Sequence, residues 1–313
     1  MSTIRIATRE SALAKWQADW VASQLSLLGC DVEMVYVTTH GDVHQTGPIE
    51  SIGTQGVFTK EIQRAVLDNR ADVAVHSMKD LPTQQTPGLI LAAVPSRAPV
   101  ADCLVSHFYD NLDSLPDDAV IGTGSLRRKA QLLAINPKWN IEPIRGNLQT
   151  RLKKLRSTET RHDESPFDAI ILAEAGLRRM GYDAQIAQVI PITQLMPAAG
   201  QGALALECRV TDETTLNVVR KLNSEEVFAA TSAERTLLAV LEAGCLAPVG
   251  CSTRLTCNNQ IELTGRVIAV DGSKTLEHSD CSDLQSATEL GRRVAQRLIA
   301  MGADKLIVQA RTR

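Results

Sequence analysis

The chain has 313 residues, 44% of them hydrophobic, which is enough for two or three domains with sizeable cores. A formal net charge of -3 excludes a generally basic surface, so we do not expect nucleic acid as a main partner. The sequence shows no leader peptide and no apolar run long enough to span a membrane, which predicts a cytoplasmic protein without membrane contact. Seven scattered cysteines favour free thiols over a disulfide framework.

The first elements are a predicted strand from Ile4 to Thr8 and a helix that opens at Ser11 and ends at Gly29. Trp16 and Trp20 recur at helical spacing, and we interpret both as core packing. Arg9 and Ser11 therefore lie at a strand-to-helix junction.

A second strand is predicted from Asp31 to Thr38, followed by a long polar loop from Thr39 to Gln55. Structureless loops of this length are typical of lids and binding segments, or of disorder. His40, Asp42 and His44 alternate within it and could ligate a metal, but no scaffold is predicted that would fix them, and we expect no metal site.

The most informative stretch follows a helix predicted from Phe58 to Asp68. The apolar strand Val73 to Val75 turns directly into a polar cluster, His76-Ser77-Met78-Lys79-Asp80, and Pro82 shapes the turn. Ligands in open α/β sheets bind at the carboxyl ends of the strands, so this cluster is a candidate site. An ordinary strand-to-loop exit with a solvated Lys and Asp remains the alternative.

A second α/β block begins after the interruption Pro95 to Pro99. Val120 to Arg128 predicts a strand, a glycine turn and a helix start, where Thr123 and Ser125 could donate to a bound anion. Cations at a helix N-terminus are unfavourable by about 0.3 to 1 kcal/mol each. Arg127 and Arg128 are thus best explained by an anion between them, and two solvated arginines are the alternative.

The same plan recurs twice more along the chain. Ile141 to Ile144 predicts a strand, with Arg145-Gly146-Asn147 as its turn and Arg151 early in the next helix. Phe167 to Ala173 and Glu174 to Met180 predict the third strand and helix. A second crossing from Pro191 to Gly202 then leads to the strand Ala203 to Cys208, which suggests that the chain returns to the first domain.

The last hundred residues predict a separate α+β domain. A helix from Ser224 to about Leu241 is followed by a turn that contains Gly244-Cys245. Strands are predicted at Thr253 to Cys257, Ile261 to Val270 and Lys274 to His278, and a capping box at Ser282 and Gln285 predicts a final helix to Met301.

Six motifs together resemble the hydroxymethylbilane synthase family, also called the porphobilinogen deaminases, and the resemblance spans all 313 residues. Singly each motif is weak, but the combination is highly specific. The motifs are Arg5 to Ser11, Ala74 to Pro82, Gly122 to Arg128, Arg145 to Asn147, Gly200 to Ala203 and Gly244-Cys245.

The resemblance implies two periplasmic-binding-protein-like (type II) α/β domains joined by two crossings, plus a small C-terminal α+β domain. We expect the first domain at residues 1–97 with 199–219, the second at 98–198 and the third at 220–313. The strands and helices predicted above follow the same outline.

The resemblance also implies an activity. Members join four porphobilinogen molecules head to tail with release of ammonia, then hydrolyse the product off as hydroxymethylbilane. The growing chain is primed by a dipyrromethane that is bound through a thioether to a cysteine, by motif Cys245 here. Porphobilinogen is then the small-molecule partner, and we expect a monomer.

Each pyrrole of such a chain bears an acetate and a propionate, so the ligand is a polyanion that needs fixed cations. Loss of ammonia leaves a cationic methylene-pyrrolenine, which a carboxylate stabilises, and Asp80 is the acidic residue of the central motif. By motif the expected cofactor- and substrate-binding residues are Arg9, Ser11, Gln17, Ser77, Lys79, Thr123, Ser125, Arg127, Arg128, Arg145, Gly146, Arg151 and Gln201.

The sequence departs from the family pattern at a few positions. Gln55 stands in the polar loop where many members have Lys, which puts a substrate contact in doubt, and Gly124 replaces a common Ser in the glycine turn. The second change removes a hydroxyl but keeps the backbone N–H, so we expect binding to persist. Ser157 to Ser165 resembles a surface insertion.

Two rival functions use the same residues differently. A hinged binding module could capture a small anion without chemistry, although a secreted receptor should have a leader and needs no cysteine-bearing third domain. A structural zinc site at Cys245, Cys251 and Cys257 is the second rival, but their spacing fits no common zinc pattern.

Overall fold

The computed structural model describes residues 3–38, 59–156, 166–244, 247–256, 258 and 260–311. The chain divides into two compact units. Unit 1 contains Met1–Ala98 and Gly202–Ser232, and unit 2 contains Pro99–Gln201 and Ala233–Arg313. Within the described ranges no helix is long and apolar enough to cross a membrane.

The strands and helices alternate through most of the chain. The strands are β1 (Thr3–Arg9), β2 (Asp31–Val37), β3 (Val73–Ser77), β4 (Leu89–Ala93), β5 (Asp102–Val105), β6 (Val120–Gly122), β7 (Asn140–Glu142), β8 (Ala169–Ala173), β9 (Gln188–Val189), β10 (Leu204–Arg209), β11 (Val249–Leu255), β12 (Gln260–Ile268) and β13 (Thr275–Asp283). The helices are α1 (Ala12–Leu27), α2 (Lys60–Leu67), α3 (Leu126–Ile135), α4 (Leu148–Leu152), α5 (Glu174–Arg179), α6 (Glu213–Val219), α7 (Glu225–Val240), α8 (Ala287–Ala300) and α9 (Ala303–Arg311).

Unit 1 is built on a five-stranded sheet in the order β2-β1-β3-β10-β4. β1 is parallel to β2 and β3, and β10 is antiparallel to β3 and β4. Apolar side chains of β1, β3 and β10 are fully buried because helices cover both faces of the sheet. The sheet therefore brings the carboxyl ends of β1 and β3 side by side.

Helix α1 begins as predicted, with Ser11 as its N-cap, but it buries a different stripe from the one expected. The buried residues are Gln17, Ala18, Val21 and Leu25, and Trp16 is 36% exposed. The prediction that Trp16 packs in the core is wrong, because the sheet contacts the stripe one and two positions further along the helix. Trp20 is partly buried against the core.

Unit 2 repeats this topology with the sheet order β7-β6-β8-β5-β9. β6 is parallel to β7 and β8, and β5 is antiparallel to β8 and β9. In each sheet the antiparallel inner strand, β10 or β5, follows a crossing of the chain. Each unit thus has a five-stranded mixed sheet with an equivalent strand order, which confirms the predicted α/β fold class.

The C-terminal part has a three-stranded antiparallel sheet, β11-β12-β13, covered by α8 and α9. This confirms the predicted small α+β region, which forms part of unit 2. The predicted capping box is wrong. Ser282 lies at the end of β13, because the antiparallel pairing of β13 with β12 continues as far as Asp283. The helix begins only at Ala287. The numerical domain boundaries stay a prediction.

Candidate functional site

A polar cleft lies in unit 1 at the carboxyl ends of β1 and β3. Its empty space measures about 450 Å³, a volume that includes the open solvent at its mouth. Five of the residues predicted to bind ligand line it, together with His76, Thr59 and four apolar residues; the five are Arg9, Ser11, Gln17, Ser77 and Asp80. The strand ends and the first turn of α1 thus bring together residues that are 71 positions apart in sequence, from Arg9 to Asp80.

Gln17 and Ser77 form a pair in this cleft. Gln17 Nε2 donates to Ser77 Oγ at 2.8 Å, and the Ser77 hydroxyl lies 3.2 Å from Gln17 Oε1. Gln17 is only 3% exposed, so the pair fixes the serine hydroxyl at the cleft. Ser11 Oγ accepts the Ala14 N–H at 3.4 Å, which caps α1 and holds Ser11 at the rim.

Asp80 projects from a short 3-10 turn, Met78–Asp80, that follows β3 directly. The turn is anchored on both sides of Asp80, because Met78 is 1% exposed and Leu81 is 6% exposed. The Met78 N–H donates to the Ala203 carbonyl at 3.0 Å, and the Leu81 N–H donates back to Met78. An exposed carboxylate is thereby held on a rigid turn at the cleft, while Lys79 lies half-buried beside it.

His76 reaches into the sheet below the cleft and meets a buried carboxylate that the sequence analysis missed. His76 Nε2 lies 3.1 Å from Glu207 Oε2 without hydrogen-bond geometry, and both side chains are almost fully buried. Gln63 Nε2 donates to the same Glu207 oxygen at 2.8 Å. A lone Glu within the apolar strand Ala203 to Cys208 was the available signal.

The glycine turn of unit 2 has the predicted strand-turn-helix form between β6 and α3. Ser125 caps the helix, since its Oγ accepts the Arg128 N–H at 3.5 Å, and the Ser125 N–H donates to Thr123 Oγ1 at 3.3 Å. Gly124 is exposed, and a Cβ there would come within 3.0 Å of the Ile144 carbonyl. Serine at this position would therefore require a small shift of the neighbouring backbone.

Arg127 and Arg128 point into unit 2 and not into solvent. Their exposed fractions are 5% and 6%, and both guanidiniums bind the carboxylate of Asp102. Arg127 Nη1 also donates to the Met196 carbonyl, and Arg128 Nη1 donates to the Ile171 carbonyl at 2.9 Å. The alternative of two solvated arginines is therefore wrong, and whether the pair binds an external anion stays a prediction.

Asp102 is the centre of this cluster and was absent from the sequence analysis. It is fully buried, and burial by itself raises the pKa of a carboxyl group, but the charges of Arg127 and Arg128 outweigh this effect. Hydrogen bonds from Arg128 and Gln201 act in the same direction, and the pKa of Asp102 lies well below its usual range. Burial lowers the pKa of Arg127, and the charge of Asp102 opposes that shift.

Gln201 is buried at the return crossing and belongs to the same cluster. Its Nε2 donates to the Val100 carbonyl at 2.7 Å and to Asp102 Oδ1 at 2.8 Å. Gln201, which was predicted to bind ligand, thus lies between the two crossings of the chain. Its hydrogen bonds connect the second crossing to the residues that follow the first.

Arg145 and Gly146 lie on the turn before α4, and Arg151 lies in the last turn of that short helix. Arg151 Nε donates to the Gly146 carbonyl at 2.8 Å, so this side chain folds back over its own turn. Gly146 has φ +109°, and a Cβ there would lie 2.6 Å from the Thr150 methyl, which explains glycine at this position. Arg145 and Arg151 are both half-buried.

Some predicted features lie outside the described residues. They include the cofactor cysteine Cys245, the loop residues His40, Asp42, His44 and Gln55, the insertion Ser157 to Ser165, and Cys257. Cys251 is fully buried in β11. In the part of the chain that the structure describes, no group of three or more His, Cys, Asp or Glu is placed to hold a metal.

Two family models match this chain. One is described as "Porphobilinogen deaminase, dipyromethane cofactor binding domain" and matches residues 4–217. The other is described as "Porphobilinogen deaminase, C-terminal domain" and matches residues 228–300. Together they span almost the whole sequence.

Curated relatives are similar over nearly their full length. A porphobilinogen deaminase of Desulforamulus reducens is 43% identical over 310 residues, 98% of this chain and 98% of the relative. Those of Brevibacillus brevis and Campylobacter curvus are 39% and 40% identical, each covering 99% of this chain and 98% of the relative.

Among solved structures, a methionine-binding lipoprotein of Bacillus subtilis is 13% identical with a TM-score of 0.42, covering 72% of this chain and 92% of that one. A periplasmic substrate-binding protein of an ABC transporter from Coxiella burnetii is also 13% identical with a TM-score of 0.42, covering 74% and 96%.

Proposed function

Because the chain belongs to the porphobilinogen deaminase family, we propose how its own residues carry out that family's reaction. The protein is a transferase of tetrapyrrole biosynthesis with a dipyrromethane cofactor. It joins four porphobilinogen molecules head to tail, releases ammonia at each addition and then hydrolyses the product to hydroxymethylbilane. The single observation that supports the residue assignment is the cleft of unit 1, where Asp80 shares one space with Arg9 and with the neutral polar side chains of Ser11, Gln17 and Ser77.

The donors and acceptors present fit a dipyrromethane. This group carries four carboxylates and two pyrrole N–H groups, so it needs cations, neutral donors and at least one acceptor. Arg9 supplies a cation, Ser11, Gln17 and Ser77 supply neutral polar groups, and Asp80 supplies the acceptor. We propose that Cys245 holds the group by a thioether. When bound, the dipyrromethane supplies the pyrrole carbon to which each new unit is joined.

Asp80 is the proposed catalytic residue. Positive charge develops on porphobilinogen as ammonia leaves, and a fixed carboxylate stabilises such charge without having to reorganise. The turn that carries Asp80 is anchored by buried Met78 and Leu81, so the carboxylate is preorganised. The same oxygens can accept the pyrrole N–H bonds, which would orient the reacting ring.

The remaining cations are proposed to hold the acetate and propionate groups. Arginine binds carboxylates through two parallel N–H bonds, and its charge is permanent. In unit 1 this role falls to Arg9 and Lys79, and in unit 2 to Arg127, Arg128, Arg145 and Arg151. Thr123, Ser125 and Gly146 are proposed to add neutral donors at the same turns, and Gln201 to orient the cluster around Asp102.

Single-turnover kinetics on Asp80 variants tests this assignment. Asp80→Asn keeps the size of the side chain but removes the charge, so turnover should fall by about 100-fold or more. Asp80→Glu keeps the charge but moves it by one methylene, and partial activity is expected. Cofactor content is measured first, and Asp19→Asn, an exposed carboxylate on α1, is the matched control. Near-normal rates for Asp80→Asn would show that Asp80 is structural.

We propose a cytoplasmic monomer. Among the described cysteines, Cys30, Cys103, Cys208 and Cys281 are free thiols, which suits a reducing compartment. Light scattering at micromolar concentration should give the mass of one chain, 33.9 kDa plus the cofactor. A dimer mass would contradict the monomer.

Binding of porphobilinogen without ammonia release would favour the binding module instead.

A further inference from the structure

A buried aspartate organises the arginine pair of unit 2. Asp102 opens β5 and is fully buried. Its carboxylate accepts from Arg127 Nη2 at 2.8 Å, from Arg128 Nη2 at 2.6 Å and from Gln201 Nε2 at 2.8 Å. The two arginines bind different oxygens of this carboxylate: Arg127 binds Oδ2 and Arg128 binds Oδ1.

The charges of this cluster do not cancel. Two arginines and one aspartate leave a net charge of +1, and all three side chains are at most 7% exposed. An unbalanced buried charge is unfavourable, so the cluster favours the approach of an anion. Arg128 Nε is buried and has no hydrogen-bond partner among the residues that the structure describes, which leaves one charged donor unused.

The two arginines need the Asp102 carboxylate between them because of where they lie. Both lie in the first turn of α3, where the helix dipole disfavours cations. Their like charges also repel each other, and in a buried site this repulsion is weakly screened. The Asp102 carboxylate offsets both effects and fixes the two guanidinium planes, which the Met196 and Ile171 carbonyls hold from the other side.

We propose that Asp102 is a positioning residue for the substrate reaction: it holds Arg127 and Arg128 in one geometry and leaves the pair a single excess positive charge for a pyrrole carboxylate. The inference rests on the proposed function of the two arginines. Asp102 itself does not touch the substrate; it acts through the guanidiniums.

The variant Asp102→Asn separates positioning from simple charge. It keeps the shape of the side chain but raises the net charge of the cluster from +1 to +2. If charge alone mattered, a polyanionic substrate would bind more tightly and KM would fall. If Asp102 positions the arginines, the pair separates and kcat/KM for porphobilinogen should fall by about tenfold or more, mainly through a higher KM, as for a lost charged hydrogen bond.

Steady-state kinetics on folded enzyme with measured cofactor content decides between these outcomes. Asp168→Asn is the matched control, because Asp168 is a buried aspartate of the same unit that binds Arg156 and the Val120 N–H. It should lower thermal stability without raising KM. A kcat/KM for Asp102→Asn equal to that of wild type, or a lower KM, would overturn the inference.

Asp102→Glu provides a second test, which also applies if Asp102→Asn does not fold. Glutamate restores the charge but shifts it by one methylene, so kcat/KM should lie between the wild-type and Asn values, with KM raised at least about threefold. A wild-type KM for Asp102→Glu would contradict positioning. Failure of wild-type enzyme to form hydroxymethylbilane would instead contradict the proposed function itself, so the two failures are distinguishable.

Discussion

Asp72 links three strands at the amino end of β3, opposite to the end that carries Asp80. Its carboxylate accepts from the Arg5 backbone N–H at 3.0 Å, from Arg5 Nε at 3.0 Å, from Arg5 Nη2 at 2.8 Å and from Arg209 Nη2 at 2.8 Å. Arg5 lies in β1 and Arg209 in β10, so Asp72→Asn should weaken unit 1 without touching the cleft.

The expected loss follows from the pKa of Asp72. Burial alone would raise this pKa, but the hydrogen bonds of Arg5 and Arg209 lower it from 3.8 to about 2. Such a difference corresponds to about 2 kcal/mol. Solvent access to Arg5 screens the pair, which reduces the expected stabilisation to about 1 to 2 kcal/mol.

The pH dependence has a definite sign. Because folding lowers the pKa of Asp72, the folded protein favours the carboxylate, and its stabilisation is complete above about pH 4. It is lost as the pH falls from 3.8 through about 2, where the folded-state carboxylate takes up its proton. The stability difference between wild type and Asp72→Asn should thus be the same at pH 7 and pH 5, and smaller at pH 3.

Urea unfolding in a Trp139→Phe background measures this difference in unit 1. Trp16 and Trp20 then remain as fluorescent probes, and both lie on α1. Asp68→Asn is the control, since this exposed aspartate lies 3.6 Å from Arg64 and should contribute less than about 0.5 kcal/mol. A loss below about 0.3 kcal/mol for Asp72→Asn at pH 7, or a loss unchanged at pH 3, would refute the reasoning.

Two further predictions concern unit 2 and the thiols. Gly272 has φ +77°, and the Cβ of Gly272→Ala would lie 2.4 Å from the Ala134 backbone. The control is Gly181→Ala, where φ is +71° but no described atom lies within 4 Å of the new Cβ. The melting temperature of Gly272→Ala should fall well below that of Gly181→Ala, and equal losses of melting temperature would contradict this contact. Burial raises the pKa of Cys103 and Cys208 to about 12. Iodoacetamide at pH 8 should therefore label exposed Cys281 and leave Cys103 and Cys208 unmodified until the protein unfolds. Equal labelling rates of the three thiols, measured by peptide mass spectrometry, would contradict the burial of Cys103 and Cys208.

The local part of the site could be predicted from sequence. An apolar strand that turns within a few residues into Ser77, Lys79 and Asp80 indicates a strand end, and a Ser that opens a helix indicates a cap. Both features depend on neighbours within a few positions, and the structure confirms both.

The buried carboxylates could not be predicted because their partners are distant in sequence. Asp102 is 25 residues from Arg127, and Glu207 is 131 residues from His76. Each is an acidic residue within a largely apolar strand, which marks it as unusual but does not identify its partner. The direction in which Arg127 and Arg128 point was equally invisible, since a helix start predicts the position of the backbone but not the burial of long side chains.

The errors in the sequence analysis have a common cause. Ser282 matched a helix cap, but β12 is long enough to extend the antiparallel pairing over it, so tertiary pairing overrode a local signal. Trp16 matched a helical stripe, but the face that the sheet covers is set by the packing of the whole unit. Local patterns predicted the elements better than they predicted which face is buried.

Intact-protein mass spectrometry tests the central claim most directly. Protein made in cells that synthesise porphyrins should carry the added mass of two linked pyrrole units, Cys245→Ala should lack it, and Cys281→Ala should retain it. Peptide mapping should place the addition on Cys245. An unmodified mass for freshly prepared wild-type protein, or the same addition on Cys245→Ala, would contradict the account.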